Sequence, residues 1–474
     1  MKRLMQLLLV ELIVVAGLAA ALAALLLTAP GSETESYVFS AREVTDITSV
    51  QVENENGTVS VTTQDGGYLI DGVPSELVDT DAFIEFLTAC SQVATQQRAA
   101  GGGADAAQYG LSEPQAQMTA SYSDGETLTL YLGAQESVSG DYYFSIEGES
   151  GVYLLPEELA QWYLIPKESL ISFYVTPELA VSSPLSALQD VTFSGGPLDA
   201  PVTIESVSAG DEEVQQLARS FGAATHIVRG AGVYELDQTY ALEMLTPLCG
   251  MTGDSIVAYG LTEEQEDAMG FADPYMQVEF DYLNGAETAE HYILRFLPAM
   301  EDGSYFYVNA KGSGVVYIIA RSAFLDISYE KLLLRWFLSP LLMDVSGITV
   351  ESSAGRYDFA IDNTDARNPV VTLDGAAVDV ELFRDFFQLL GSAANDGTYL
   401  GVQPAPSGEA VMTITYHYTD GKADDVMALY TGDSRRVNVY VNGVCEFAMR
   451  DVFVERVNQA LPALAAGESF DINW

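Results

Sequence analysis

The chain has 474 residues, more than one hydrophobic core usually serves, so length alone implies several domains. Sixty-eight acidic residues against 20 basic ones leave a formal charge of −48. A surface that negative repels phosphate backbones and anionic headgroups, which excludes a nucleic-acid partner and fits an acidic exported protein.

Lys2 and Arg3 precede an apolar run from Leu4 to Leu27. The run is long enough to cross a hydrocarbon core of about 30 Å and exceeds the ~7 to 15 apolar residues of a cleaved signal peptide. The expectation is an N-terminal transmembrane helix that acts as a signal anchor, with a short linker closing the segment 1–36. Ala21-Leu22-Ala23 is the alternative, a cleavage signal. Basic residues before the run and Glu33 and Glu35 after it place the amino terminus inside. The expected location is therefore the cell membrane, single-pass through residues 4–27, with the bulk of the chain extracytoplasmic.

After the anchor, "ITSVQVEN" and "TVSVTTQ" flank Asn56-Gly57, a hairpin signal, and "GYLIDG" follows. "DTDAFIEFLTACSQV" spaces Phe83, Phe86, Leu87 and Cys90 for one helix face, with Thr80 or Asp81 as cap. The phrase "YGLSEP" leads into "QMTASY" and "TLTLYL" around Asp124-Gly125, then "DYYFSI" and "GVYLL" around "EGES". The module reads as a small antiparallel sheet, one helix and a second antiparallel meander.

The order then recurs. "LQDVTFSG", the helix "ELDQTYALEMLTPLCG", "YGLTEE" and a hairpin at Asn284-Gly285 form a second copy. "SGITVES", "DVELFRDFFQLLG", "YLGVQP" and "VNVYVNGVCEFAM" form a divergent third. The expected fold class is α+β: the transmembrane helix, then three tandem repeats of antiparallel sheet, helix and β-meander. The expected domains are 37–183, 184–339 and 340–474. In the YGL phrase the glycine supplies a sharp turn, the leucine a core plug and Pro114 a stop, so it reads as a connector rather than chemistry.

The stretch "YGLSEPQAQMTASYSDGETLTLYLG" followed by "YYFSIEGESGVYLL" resembles the family catalogued as domain of unknown function 4340, best over 44–165, recognisably over 188–325 and weakly after 345. The resemblance implies no catalytic residues. It implies an extracytoplasmic module anchored beside the membrane and associated with ABC-type permeases.

Residues that resemble chemical sites are sparse. Ser328-Tyr329-Glu330-Lys331 matches S-x-x-K, and Lys311-Gly312-Ser313 is a weak relative of the K-T-G box, but no S-D-N element accompanies them. His226, His291 and His417 stand alone in strand-like sequence, without paired zinc-ligand spacing. The acidic stretches 262–267 and 362–368 depart from the calcium-loop pattern, and Gly101-Gly102-Gly103 lacks the lysine of a phosphate loop. Tyrosine pairs such as Tyr142-Tyr143 suit cross-strand packing, with a glycan or peptide groove as the alternative. Cys90, Cys249 and Cys445 are too few for a disulfide framework and read as free, buried thiols.

No catalytic, cofactor or metal residue is therefore assigned, and the chain is read as not an enzyme. The expected role is a membrane-tethered accessory or scaffold protein, with an ABC-type permease or other envelope protein as partner. The alternative is a cell-envelope ligand-binding protein or adhesin. The apolar seam "KLLLRWFLSPLLM" offers Trp336, Phe337 and Leu341 as packing between modules, or else as an interaction patch.

Overall fold

The computed structural model describes residues 36–64, 67–285, 288–365, 367–419 and 421–474. The fold is mostly β, built from four antiparallel sheets with few helices, which corrects the α+β expectation. No helix among the described residues is long and apolar enough to cross a membrane. The run 4–27, on which the transmembrane helix rested, lies outside the described residues.

The correction has a specific cause. The sequence separated each module into a small sheet, a helix and a second meander, but the two β portions are one sheet. Strand Ile47–Asn54 pairs on one edge with Gly57–Gln64 and on the other with Ala116–Tyr122. Leu188–Gly195 likewise joins Val202–Ser206 to Met276–Tyr282, and Val345–Ser352 joins Gly355–Asp362 to Met412–Tyr418. A strand has two hydrogen-bonding edges, and filling both avoids two exposed edges in each module. Pairing across the helix is a long-range event that local periodicity does not report.

The chain divides into two compact units, one ending at Ser172 and one running Phe173–Trp474. The first unit contains an eight-stranded sheet and the small pair Tyr37–Ala41 with Gln92–Thr95. Helix Thr80–Ser91 buries Phe83, Phe86, Leu87 and Cys90 on that sheet. Its cap is Asp79, one residue before the expected pair, which accepts from the amides of Asp81 and Ala82 at 3.1 and 3.0 Å. In the YGL phrase, Gly110 has φ 72°, and a Cβ there would meet the Ala134 amide nitrogen at 2.6 Å. The glycine is needed both for its left-handed backbone and for that close approach.

The second unit contains a nine-stranded and an eight-stranded sheet. Strands Met276–Tyr282 and Met412–Tyr418 bury alternate residues throughout, as Ala116–Tyr122 does in the first unit. Asp237 and Asp379 cap the helices Gln238–Leu245 and Val380–Gly391 as Asp79 caps its own. The seam between the two sheets is a strap hydrogen-bonded on both sides. Leu334 donates to Glu235 and Phe337 to Ala393, at 2.8 and 3.0 Å.

Candidate binding site

Three acidic side chains of the second unit are almost wholly hidden from water, and they differ in what neutralises them. Glu266 is 0% exposed and pairs with the buried Arg295 at 2.6 Å. The amides of Gly312 and Gly314, in the turn containing Lys311-Gly312-Ser313, donate to its two oxygens at 2.9 and 2.8 Å. Asp425 is 2% exposed and pairs with Lys422 at 2.9 Å, with further donors in Ser220, Tyr418 and Asn442. Burial pushes the Asp425 carboxyl up, but hydrogen bonds from Tyr418, Lys422, Ser220 and Asn442 outweigh it and hold it below its ordinary value.

Glu446 is 1% exposed and has no lysine, arginine or histidine within ion-pair distance among the described residues. Three donors converge on its Oε2: the Gly232 amide at 3.0 Å, Tyr234 at 3.1 Å and Tyr329 at 3.0 Å. No hydrogen bond from a described residue reaches Oε1. Three hydrogen bonds partly offset the desolvation of a charge but do not replace a counterion. Burial pushes the Tyr234 and Tyr329 hydroxyls up, and the charge of Glu446 adds to the rise, so both remain donors.

The local backbone explains how these groups meet. Strand Val444–Arg450 is buried on both faces over most of its length, so Glu446 projects into protein rather than solvent. The turn between His226–Arg229 and Val233–Glu235 contains Gly230 and Gly232 and brings the Gly232 amide within 3.0 Å of the carboxylate. A Cβ on Gly230 would meet the Tyr329 hydroxyl at 2.6 Å, and one on Gly232 would meet the Tyr234 ring at 2.8 Å. Two glycines thus let the turn approach the aromatic pair closely enough to donate to the acid.

Glu446 lies in the wall of a cavity of about 340 Å³, which falls in the size range of small-molecule sites. The loop 197–202 and the turn at Gly230 form one side, segment 326–330 another, and Tyr399, Gly401 and Val402 a third. The rings of Tyr329 and Tyr399 meet edge to face at 6.1 Å and 74°. Burial, followed by the charges of Glu446, Glu330 and Asp199, raises the Tyr399 hydroxyl, and all three acids line the same cavity.

The sequence candidates fall elsewhere or change meaning. Tyr329 and Glu330 do line the cavity, but as a wall rather than an S-x-x-K pair. The Ser328 hydroxyl donates to Glu330 at 2.6 Å, while the Lys331 ammonium lies over the Tyr240 ring. Lys311 pairs with Glu263 at 3.1 Å, away from those residues. His226 bonds to Thr225 and Leu185, His291 to Asp281 and His417 to Asp424. Among the described residues no group of three or more His, Cys, Asp or Glu side chains is placed to hold a metal. All three cysteines are free; Cys90 and Cys445 are buried as expected, whereas Cys249 is only half-buried, and burial pushes the Cys445 thiol up to about 11.

The seam residues separate. Phe337 is buried, whereas Trp336 and Leu341 are 40% and 41% exposed. Sequence reasoning missed Glu446, although its signal was visible as a lone acid inside "VCEFAM". It also treated the YGL phrase purely as a connector, and in the third copy the tyrosine of that phrase, Tyr399, is a cavity wall.

With this geometry in hand, comparison with known proteins identifies a domain of unknown function. Residues 77–172 match the family model described as Domain of unknown function (DUF4340). That span lies in the first unit, so the match does not extend to the Glu446 cavity. No match was found among curated proteins or among solved structures.

Proposed function

We propose that this protein is an extracytoplasmic binding component of the cell envelope, held at the membrane by its apolar residues 4–27, and that it captures a ligand in the Glu446 cavity without transforming it. The observation that carries the reading is a preformed cavity with a nearly buried carboxylate in its wall and two tyrosine rings beside it. A binding role is supported by the lining, in which Leu198, Ile327 and Val402 offer an apolar surface beside the Glu446 carboxylate. An ABC-type permease is the partner class that the family resemblance suggests for such a component.

The test is a thermal-shift screen of the full-length, detergent-solubilised protein against amino acids, amines, sugars and short peptides. At least one compound should raise the melting temperature, and Val402→Trp, which fills the cavity from an exposed position, should abolish the shift. Retention of the shift in that variant, or no shift with any compound, overturns the reading.

A scaffold role is a second reading, favoured by the exposure of Trp336 and Leu341 on the strap. Under it, Trp336→Ser abolishes recovery of an envelope partner from solubilised membrane while leaving the melting temperature unchanged. Unchanged recovery removes Trp336 as a contact.

A further inference from the structure

Resting on the reading that the cavity is a ligand pocket, we infer that its ligand enters with a primary ammonium group on an unbranched aliphatic arm, the charge seated against Glu446. The contrast among the buried acids carries this. Glu266 has Arg295 and Asp425 has Lys422, while Glu446 has three donors and no cation among the described residues. A buried carboxylate without a counterion is costly unless a partner completes it. Glu446 is the one of the three that lines the 340 Å³ cavity, where a ligand can supply the missing charge.

The free acceptor also selects among cations. Oε2 already takes three hydrogen bonds and only Oε1 remains open, so the forked, two-oxygen grip of a guanidinium has no place to form. A compact ammonium needs one such oxygen and gains from aromatic faces, which Tyr329 and Tyr399 provide. A bare metal ion requires several converging ligands, and among the described residues no group of three or more His, Cys, Asp or Glu side chains is placed to supply them. Leu198, Ile327 and Val402 supply apolar lining for an alkyl arm. Asp199 and Glu330, both exposed at the same cavity, add charge of the same sign and favour entry of a cation. The chemistry is shared by free alkyl diamines and by the lysine side chain of a protein partner.

Isothermal titration of the full-length protein with 1,5-diaminopentane, with the capped tripeptide Gly-Lys-Gly and with pentan-1-ol separates these cases. At least one cation should bind and the alcohol should not. Preference for the diamine identifies a free amine, and preference for the tripeptide a lysine side chain. Glu446→Gln should weaken binding by roughly 30-fold or more, the lower range for removing one partner of a buried charge pair. The exposed pair Asp199→Asn/Glu330→Gln should weaken it less and reduce its salt dependence.

Failure of both cations to bind, equal binding of pentan-1-ol, or unchanged affinity in a folded Glu446→Gln protein overturns the inference. Should Glu446→Gln not fold, unchanged affinity and salt dependence in the double variant overturns it instead. A neutral ligand whose binding is abolished by Val402→Trp would leave the pocket reading standing and remove only the ammonium.

Discussion

Asp425 and Glu446 lie in the same sheet and are equally hidden from water, yet only Asp425 has a cation. Asp425→Asn leaves the Lys422 ammonium buried without its counterion, and urea unfolding should show a loss of about 3 kcal/mol or more. The pH dependence has a definite sign. The folded Asp425 carboxyl is held below its ordinary value, so its contribution is fully present above the unfolded pKa of roughly 4 and is lost as pH falls through the folded value. The difference in urea midpoint between the wild type and Asp425→Asn/Lys422→Met should therefore change between about pH 5 and about pH 3. A constant difference across that window contradicts the assignment. Asp425 was not legible as buried from sequence, because an acidic residue in an alternating strand reads as solvent-facing. Glu446 departs from this pattern because its strand is covered on both faces.

At the scale of elements, the turn Gly230–Gly232 and strand Val444–Arg450 define the site together. Gly232→Ala places a Cβ 3.0 Å from the Glu446 carboxylate and closer still to the Tyr234 ring, so one of them must move. The expected outcome is a loss of about 1 to 3 kcal/mol in stability, the usual range for overpacking, together with loss of ligand binding. Unchanged binding would mean that the turn does not shape the cavity. Asp379→Ala, remote from the cavity, should cost about 1 kcal/mol through the helix cap and leave binding intact. The hairpins at Asn56-Gly57 and Asp124-Gly125 were readable because turn chemistry and alternation are local signals. The pairing of Ile47–Asn54 with Ala116–Tyr122 was not, since it joins strands more than 60 residues apart that no local pattern links. The Glu446 site was illegible for the same reason. Gly232 and Tyr234 meet Glu446 across 214 and 212 positions, respectively.

For the whole molecule, the strap residues report how the second unit holds together. Phe337→Ser should lower stability by roughly 3 kcal/mol or more because its ring is fully buried, whereas Trp336→Ser should stay near wild type. Equal destabilisation by both would mean that Trp336 is part of the core. On the proposed location, protease added to intact protoplasts should degrade the chain, and protection would refute an extracytoplasmic bulk. The account's central claim, that the Glu446 cavity binds a primary ammonium, is tested most directly by hydrogen–deuterium exchange on the full chain with and without 1,5-diaminopentane or the capped tripeptide Gly-Lys-Gly. The account predicts slowed exchange in the backbone around Gly230–Gly232, Tyr329, Tyr399–Val402 and Glu446. Slowing confined to other segments, or no slowing anywhere with either cation at saturation, contradicts it.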